Sequence, residues 1–112
     1  MNASGKWRVR QTQDARRDKA DIVRWTIRTF GPQQAQIYAE TIALALQALS
    51  DGPDTLGARQ CDDIAPGVFT LHVARNGRKG RHFVVFRVNG DQIIDVLRLL
   101  HDSMDLERRL AD

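Results

Sequence analysis

The sequence predicts a small α+β fold, in which a helical hairpin packs on one face of a mainly antiparallel sheet. Two observations predict it. Apolar residues at helical spacing fill the first half of the chain, and three strand-like segments separated by Asn-Gly pairs follow in the second half. With 112 residues the chain can build one hydrophobic core but not two, which predicts a single domain over residues 1–112.

The first strand and the first helix follow each other near the start of the chain. In the stretch KWRVRQT, Trp7 and Val9 alternate with arginines, as in a half-buried strand. Asp14 is then placed to cap a helix. Apolar residues at three- and four-residue spacing predict the buried stripe of this helix: Ala20, Val23, Ile27 and Phe30, widened by Ile22 and Trp25.

A second helix begins directly after the first. Gly31-Pro32 ends one helix and starts the next, because proline suits a first helical turn but not a helix interior. Gly52-Pro53 closes the second helix. Such a short connection predicts an antiparallel hairpin. The apolar stripe of the second helix consists of Ala35, Tyr38, Ile42, Ala45 and Leu49.

Three strands are predicted after a loop-like segment, GPDTLGARQCDDIAPG. The first is the alternating stretch around Leu71, the second is HFVVFRV and the third is QIIDVLRLL. Asn-Gly pairs at 76–77 and 89–90 separate them, and such pairs are typical of tight turns between strands. A short terminal helix from about Asp102 would complete the order strand, helix, helix, strand, strand, strand, helix. Leu106 and Leu110 would hold that helix against the domain.

The last two strands are apolar on both faces. In the central one, Phe83 and Val85 lie on one side, and Val84, Phe86 and Val88 on the other. Two helices can cover only one face, so we expect another chain to cover the second. The alternative is that the terminal helix and the long loop fold over it.

The composition is that of an ordinary globular protein, with a mild excess of positive charge. Lys and Arg number 17 against 14 Asp and Glu, a balance compatible with an acidic partner or with nucleic acid and diagnostic of neither. Cys61 is the only cysteine, which excludes an internal disulfide and favours a reducing cytoplasm. No apolar stretch reaches the ~18 residues of a membrane span, and MNASGKWRVR lacks the apolar core of a signal peptide.

No strong catalytic motif is present. The sequence contains neither a P-loop nor a G-x-G-x-x-G motif, and no second cysteine for a zinc site, so we expect no cofactor and no metal. His72 and His82 could face each other across a hairpin, but without a placed carboxylate they make a weak metal site. We do not expect Cys61 to act as a thiolate nucleophile, because the neighbouring aspartates would raise the pKa of its thiol.

Metal-free cleavage of RNA is the more serious catalytic candidate. It would need a base, an acid and cations that stabilise the developing negative charge. Three arginines could supply the cations and two histidines the acid or base: Arg75, Arg81, Arg98, His82 and His101. Arg98 interrupts an otherwise apolar strand, and we expect it to pair with Asp95 or Asp105, because an unpaired buried guanidinium is costly.

These elements and motifs together resemble the RelE/ParE superfamily of toxins from bacterial toxin–antitoxin modules, and more closely its ParE branch. The resemblance covers about residues 7 to 110. The most specific motif is the last one, in which Ile94 and Val96 lead into Arg98-Leu99-Leu100-His101 and then Met104-Asp105. The other motifs are Ala15, Asp18, Ile22, Trp25 and Phe30-Gly31 in the first helix, Ala35, Tyr38, Leu46 and Leu49 in the second, Pro66-Gly67, and His82, Val84 and Phe86.

The resemblance implies a function. ParE-like toxins inhibit DNA gyrase by binding, without cofactors, and are neutralised by a cognate ParD-like antitoxin, a dimer whose flexible tail wraps the toxin. RelE-like relatives instead cleave mRNA on the ribosome and usually carry a late tyrosine or histidine. No tyrosine follows Tyr38, which agrees with the ParE branch, whereas His101 keeps the RNase alternative open. A third alternative is a homologue that has lost toxicity and binds only the antitoxin.

Combined with the apolar second face, the resemblance implies two sets of contact residues and no catalytic residue. For the antitoxin we expect Val84, Phe86, Val88, Ile94, Val96 and Arg87. For the gyrase target we expect Glu107, Arg108, Arg109, Arg78 and Lys79. The implied assembly is a hetero-oligomer with an antitoxin dimer, with neither a membrane nor a specific nucleic-acid sequence as a direct partner.

Overall fold

The structure, a computed structural model, describes residues 6–104. A hairpin of two helices packs on one face of a five-stranded sheet whose strand order is β1-β5-β4-β3-β2. The elements are β1 (Arg8–Gln11), α1 (Gln13–Phe30), α2 (Pro32–Ala48) with a 3-10 turn (Leu49–Asp51), β2 (Arg59–Gln60), β3 (Val68–His72), β4 (His82–Val88) and β5 (Ile93–His101). The predicted α+β architecture is confirmed.

The sheet is mixed. β1 runs parallel to β5, whereas β5, β4, β3 and β2 are antiparallel neighbours. β2 is a two-residue strand inside the segment that the sequence predicts as a loop, so the sheet has one strand more than expected. Asp102 and Ser103 form a turn, and the predicted terminal helix with Leu106 and Leu110 otherwise lies outside the described residues.

The cap of α1 differs from the prediction. Thr12, not Asp14, is the N-cap, with an extended backbone and a side-chain oxygen that accepts the N–H of Ala15 at 3.1 Å. The same hydroxyl donates to the carbonyl of Leu97 at 3.0 Å, which ties the start of α1 to β5. Asp14 lies within the first helical turn, where its negative charge interacts favourably with the positive end of the helix dipole.

The helix-covered face of the sheet contains the main core. Phe86 and Val84 of β4, with Ile94 and Val96 of β5, are 0% exposed and cluster with residues of both helices. The expectation that a partner chain covers these four side chains is therefore wrong, because α1 and α2 already do so. Of the other residues expected to contact the antitoxin, Val88 is half-buried and Arg87 is exposed.

The outer face of the sheet carries a second, smaller cluster. Val68, Val85 and Leu100 are buried there. Ile64 and Ala65, from the loop before β3, pack against them and cover them in part. The long loop thus covers part of this face, as one half of the alternative predicts; the terminal helix, its other half, lies outside the described residues. Two further side chains, Phe83 and Leu97, pack against the cluster and stay partly exposed.

A β-bulge changes which residues of β5 face the helices. The pairing with β4 steps from Val85–Arg98 to Phe86–Val96, so Leu97 is an extra residue in β5. Simple alternation would put Leu97 and Leu99 on the same face. The bulge instead leaves Leu97 with the outer cluster and places Leu99 in the helix-side core.

The predicted apolar stripe of α1 is largely exposed. Trp25 is 53%, Ile27 43% and Phe30 63% exposed. The helix buries Ala15 and Thr26 instead, with Ile22 partly buried against the core. No helix within residues 6–104 is long and apolar enough to span a membrane.

Candidate functional site

A cleft of about 700 Å³ lies where α1 ends, α2 begins and the last residues of β5 meet the start of β4. The exposed rings of Trp25 and Phe30 form one wall and contact each other edge to face, with centroids 5.8 Å apart. The opposite wall and the rim are polar and basic: Tyr38, Lys79, Arg81, His82 and His101. The cleft therefore combines apolar contact area with positive charge.

Tyr38 and His82 form a hydrogen-bonded pair in this cleft. The Tyr38 hydroxyl oxygen lies 2.6 Å from Nδ1 of His82 and also accepts the backbone N–H of Arg81 at 3.0 Å. The hydroxyl proton can be donated to Nδ1, and a neutral imidazole that accepts it there carries its own hydrogen on Nε2. Burial, assisted by the nearby His101, lowers the pKa of His82 to about 4. Burial also raises the pKa of Tyr38.

Gly80 allows this pair to form. A Cβ atom at this position would lie 2.4 Å from Cγ2 of Val73 and 3.0 Å from the Tyr38 ring and hydroxyl. Only glycine lets the loop backbone come close enough for the Arg81 N–H to reach Tyr38.

The Asp102 carboxylate binds two basic side chains near the strand ends, those of His72 and Arg81. It accepts from Nε2 of His72 at 3.0 Å, while Nδ1 of the same ring accepts the N–H of Ala74. The Arg81 guanidinium Nε contacts both carboxylate oxygens, at 3.0 and 3.2 Å. The bond from His72, followed by those from Arg81, lowers the pKa of Asp102. His101 is oriented by Ser103, whose hydroxyl and backbone N–H both lie against its Nδ1.

Arg98 is held by α1. Its Nε and Nη2 donate to the two oxygens of Asp18 at 2.7 and 3.1 Å, and Asp18 also accepts the N–H of Leu99. The expected pairing with Asp95 is wrong, because Asp95 binds Arg10 and Asn89. The other expected partner, Asp105, lies outside the described residues. The hydrogen bond from Asp18 raises the pKa of Arg98.

The structure brings together some of the predicted RNase residues. Arg81, His82 and His101 line the cleft, and Arg98 lies with the two histidines in an adjoining shallow depression. Arg75 lies elsewhere and donates to the carbonyl of Leu56. His72 pairs in register with Phe83 rather than with His82, and residues 6–104 contain no group of three metal-binding side chains.

The predicted target-binding residues are placed unequally. Lys79 is exposed at the cleft rim. Arg78 points to α2, where it donates to Thr41 at 2.9 Å, to the carbonyl of Ile37 and to Glu40. The remaining three, Glu107, Arg108 and Arg109, lie outside the described residues.

The aromatic wall is what sequence reasoning missed. The short spacing of Trp25 and Phe30 from other apolar residues predicts that they belong to a buried stripe. Trp25 lies only two residues after Val23, however, and a helix turns by roughly 200° over two residues. The apolar positions of α1 therefore surround the helix, a signal that part of them must face solvent or a partner.

Comparison with known proteins identifies the family. A family model described as the ParE toxin of the type II toxin–antitoxin system parDE matches residues 9–106. The chain belongs to the ParE toxin family. Toxin ParE1 of Mycobacterium tuberculosis is 35% identical over 81 residues, which span 72% of this chain and 74% of that protein.

Solved structures agree with this ParE fold. A chain of the chromosomal ParDE toxin–antitoxin system from P. aeruginosa superposes with a TM-score of 0.71 at 23% identity, covering 87% of this chain and 97% of that one. A chain of the RelBE2 toxin–antitoxin complex from Mycobacterium tuberculosis gives 0.56 at 22% identity, covering 86% and 98%. The ParE and RelE folds are thus both represented among the structural neighbours, as the resemblance implies.

Proposed function

We propose that this ParE toxin inhibits DNA gyrase by binding it, and that a cognate ParD-like antitoxin neutralises it in the cytoplasm. Membership of the ParE family, over residues 9–106, is the observation that carries the proposal. The name of the relative Toxin ParE1 and the toxin–antitoxin complexes among the structural neighbours support an antitoxin partner.

The polar groups of the cleft favour binding over catalysis. Acid–base catalysis of RNA cleavage needs groups that exchange protons and cations that are free to meet a phosphate. Burial lowers the pKa of His82 to about 4 and its Nδ1 is hydrogen-bonded to Tyr38, while Arg81 and Arg98 are each bound to a carboxylate. These side chains already have hydrogen-bond or ion-pair partners within the toxin, which suits a rigid binding surface better than an RNase centre.

We further propose that the aromatic wall of the cleft contacts the target. Tryptophan and arginine are common among the residues that contribute most binding energy in protein interfaces, and Trp25 with Phe30 offers a large exposed apolar area. Lys79 has no side-chain partner among residues 6–104 and is available at the rim. The segment with Glu107, Arg108 and Arg109 remains a second predicted contact.

Inhibition of supercoiling by purified toxin and gyrase tests this proposal. We expect the wild-type chain to inhibit the supercoiling of relaxed plasmid, and Trp25→Ala to raise the concentration for half inhibition at least about tenfold, the scale of an interface hot spot. Leu56→Ala is the matched control, because Leu56 is an apolar side chain that is 87% exposed outside the cleft. If both variants changed the concentration for half inhibition equally, the cleft would not be the surface that contacts gyrase.

One observation favours the RNase alternative: His101 lines the same cleft as Arg81 and the aromatic wall. Induced expression separates the two functions. Filamentation and DNA-damage signalling agree with gyrase inhibition. Rapid loss of translation with mRNA cuts at codon positions, abolished by His101→Ala, would replace it with ribosome-dependent cleavage. Normal growth together with tight antitoxin binding would identify a homologue that has lost toxicity.

A further inference from the structure

A short basic loop between β3 and β4 presents one lysine at the rim of the cleft. The segment from Arg75 to Arg81 reads RNGRKGR, and Lys79 is exposed within it. Each of its three arginines binds another part of the toxin, whereas the ammonium group of Lys79 has no side-chain partner among residues 6–104. Lys79 is thus the cation of this loop that the described part of the fold leaves available to a partner.

Arg78 anchors this loop to α2. Its guanidinium donates to the Thr41 hydroxyl at 2.9 Å, to the carbonyl of Ile37 at 3.2 Å and to Glu40 at 3.3 Å. These acceptors are spaced three and four residues apart or adjacent, so they share one side of the helix, and the Arg78 side chain is only 28% exposed. Because a planar guanidinium has its donors in a fixed arrangement, binding to three such acceptors fixes the loop at residue 78 relative to α2.

Arg81 anchors the loop on the other side of Lys79. Its backbone N–H donates to the Tyr38 hydroxyl at 3.0 Å, and its carbonyl accepts the N–H of Asp102 at 2.8 Å. Gly80 packs so closely on Tyr38 that a Cβ atom there would lie 3.0 Å from its ring. The backbone of Lys79 is therefore held from both sides before any partner arrives, which lowers the conformational entropy that binding its ammonium group costs.

The charge of the cleft fits one carboxylate better than a nucleic acid. Arg81 is already paired with Asp102, and burial lowers the pKa of His82 to about 4, so neither supplies an unpaired positive charge near neutral pH. Binding of a nucleic acid depends on several phosphate contacts at once, and each needs a cation. Lys79 offers a single cation beside the aromatic wall, and no acidic side chain within residues 6–104 lines the cleft. The matching ligand is a peptide segment with one Asp or Glu next to a bulky apolar side chain.

We propose that Lys79 determines the specificity of the cleft by binding one carboxylate of an apolar peptide segment of gyrase, and that Arg78 is the positioning residue of Lys79. This inference rests on the proposed function, since it takes gyrase as the partner of the cleft. It changes the role of Arg78 from the direct target contact expected from the sequence to a clamp that acts through Lys79. The aromatic wall excludes water beside the ion pair, which strengthens the attraction between its two charges.

Removal of the Lys79 charge tests the specificity residue. The dissociation constant of purified toxin for gyrase, in the absence of DNA, is measured by biolayer interferometry for the wild type, Lys79→Gln and Arg87→Gln. Arg87→Gln is the matched control, because Arg87 is exposed on β4, does not line the cleft and loses the same charge. We expect the dissociation constant to rise at least about tenfold in Lys79→Gln and less than about twofold in Arg87→Gln.

A double-mutant cycle tests whether Arg78 acts through Lys79. Arg78→Gln alone should raise the dissociation constant about fivefold, because it releases the loop from α2. Arg78→Lys should behave in the same way, since it keeps the charge but cannot reach the three acceptors together. In Lys79→Gln/Arg78→Gln the dissociation constant should stay within about twofold of Lys79→Gln alone. Losses that multiply to roughly fiftyfold would refute the positioning role, and circular dichroism verifies that each variant is folded.

The same measurements separate this inference from the proposed function. Equal affinities of Lys79→Gln and Arg87→Gln for gyrase would overturn the role of Lys79 while leaving a gyrase-binding toxin. A wild-type toxin that does not bind gyrase would overturn the proposed function as well. Binding of a fluorescein-labelled single-stranded DNA distinguishes the other kind of acidic partner. Its loss in Lys79→Gln, with the affinity for gyrase intact, would assign Lys79 to nucleic acid and refute the proposal.

Discussion

The two faces of the sheet are both apolar, yet they are buried by different means. On the helix-covered face, Phe86 and its neighbours are sealed by α1 and α2. On the outer face a loop shelters Val85 and Leu100, while Phe83 stays partly exposed. An apolar sheet face is therefore not sufficient evidence for a partner chain. Among residues 6–104, five of the seven exposed large apolar side chains lie instead on the two helices, Leu56 and Met104 being the exceptions.

The largest expected effect compares two phenylalanines of β4 on opposite faces. Phe86→Ala should lower the free energy of unfolding by about 3–5 kcal/mol, because it leaves a cavity under both helices. Phe83→Ala should cost about 1–2 kcal/mol, since its ring is partly solvated. Urea unfolding of both variants measures the difference. Equal losses would mean that the outer cluster is as well packed as the main core.

Loss of the ion pair between Asp18 and Arg98, beside the bulge, should have the next largest effect on the free energy of unfolding. Asp18→Asn removes the charge that faces Arg98 and should cost about 2–3 kcal/mol, because the side chain of Asp18 is only 14% exposed. Asp21→Asn is the control, since its partner Arg24 and Asp21 itself are both well exposed, and it should cost at most about 0.5 kcal/mol. Similar values from urea unfolding would show that the bulge does not depend on Asp18.

The pH dependence of the free energy of unfolding tests the lowered pKa of His82, at the polar end of the helix-covered face. The pKa of His82 is about 4 in the folded chain, against about 6.5 for an unfolded chain. As the pH falls from about 6.5 to about 4, the unfolded chain binds a proton that the folded chain excludes. The free energy of unfolding should then decrease by up to roughly 2 kcal/mol, after allowance for partial solvent exposure.

His82→Asn is the variant that checks this assignment. It should remove that part of the pH dependence, as followed by unfolding at a series of pH values. The carboxyl groups of Asp95 and Asp102 have pKa values below their ordinary range, so their stabilisation is lost only at lower pH. A slope that persists unchanged in His82→Asn would assign the proton uptake to another group.

The smallest expected effect probes the loop on the outer face. Ile64→Ala should cost about 1 kcal/mol, because this side chain is partly buried and shelters only the edge of the cluster of Val68, Val85 and Leu100. Thermal unfolding gives the value. A loss as large as that of Phe86→Ala would show that the loop is an integral part of one continuous core.

The sequence alone determined the order of the two helices and of four of the five strands within residues 6–104, whereas β2 was not predicted. Period-two and helical spacing, the Gly31-Pro32 junction and the strand-like segments each depend on local backbone geometry, which neighbouring residues control. The family resemblance was visible for the same reason, since its motifs are local. These features are confirmed by the structure and by the family match.

Only the tertiary structure decided which faces are covered and which polar groups meet. One extra residue at Leu97 placed Leu97 and Leu99 on opposite faces of the sheet, and periodicity alone cannot locate such a bulge. The Arg98–Asp18 and Tyr38–His82 contacts join residues 80 and 44 positions apart, so they depend on how the helices lie on the sheet. Burial is a property of this packing, and for that reason Trp25 and Phe30 could be recognised as surface residues only in the folded chain.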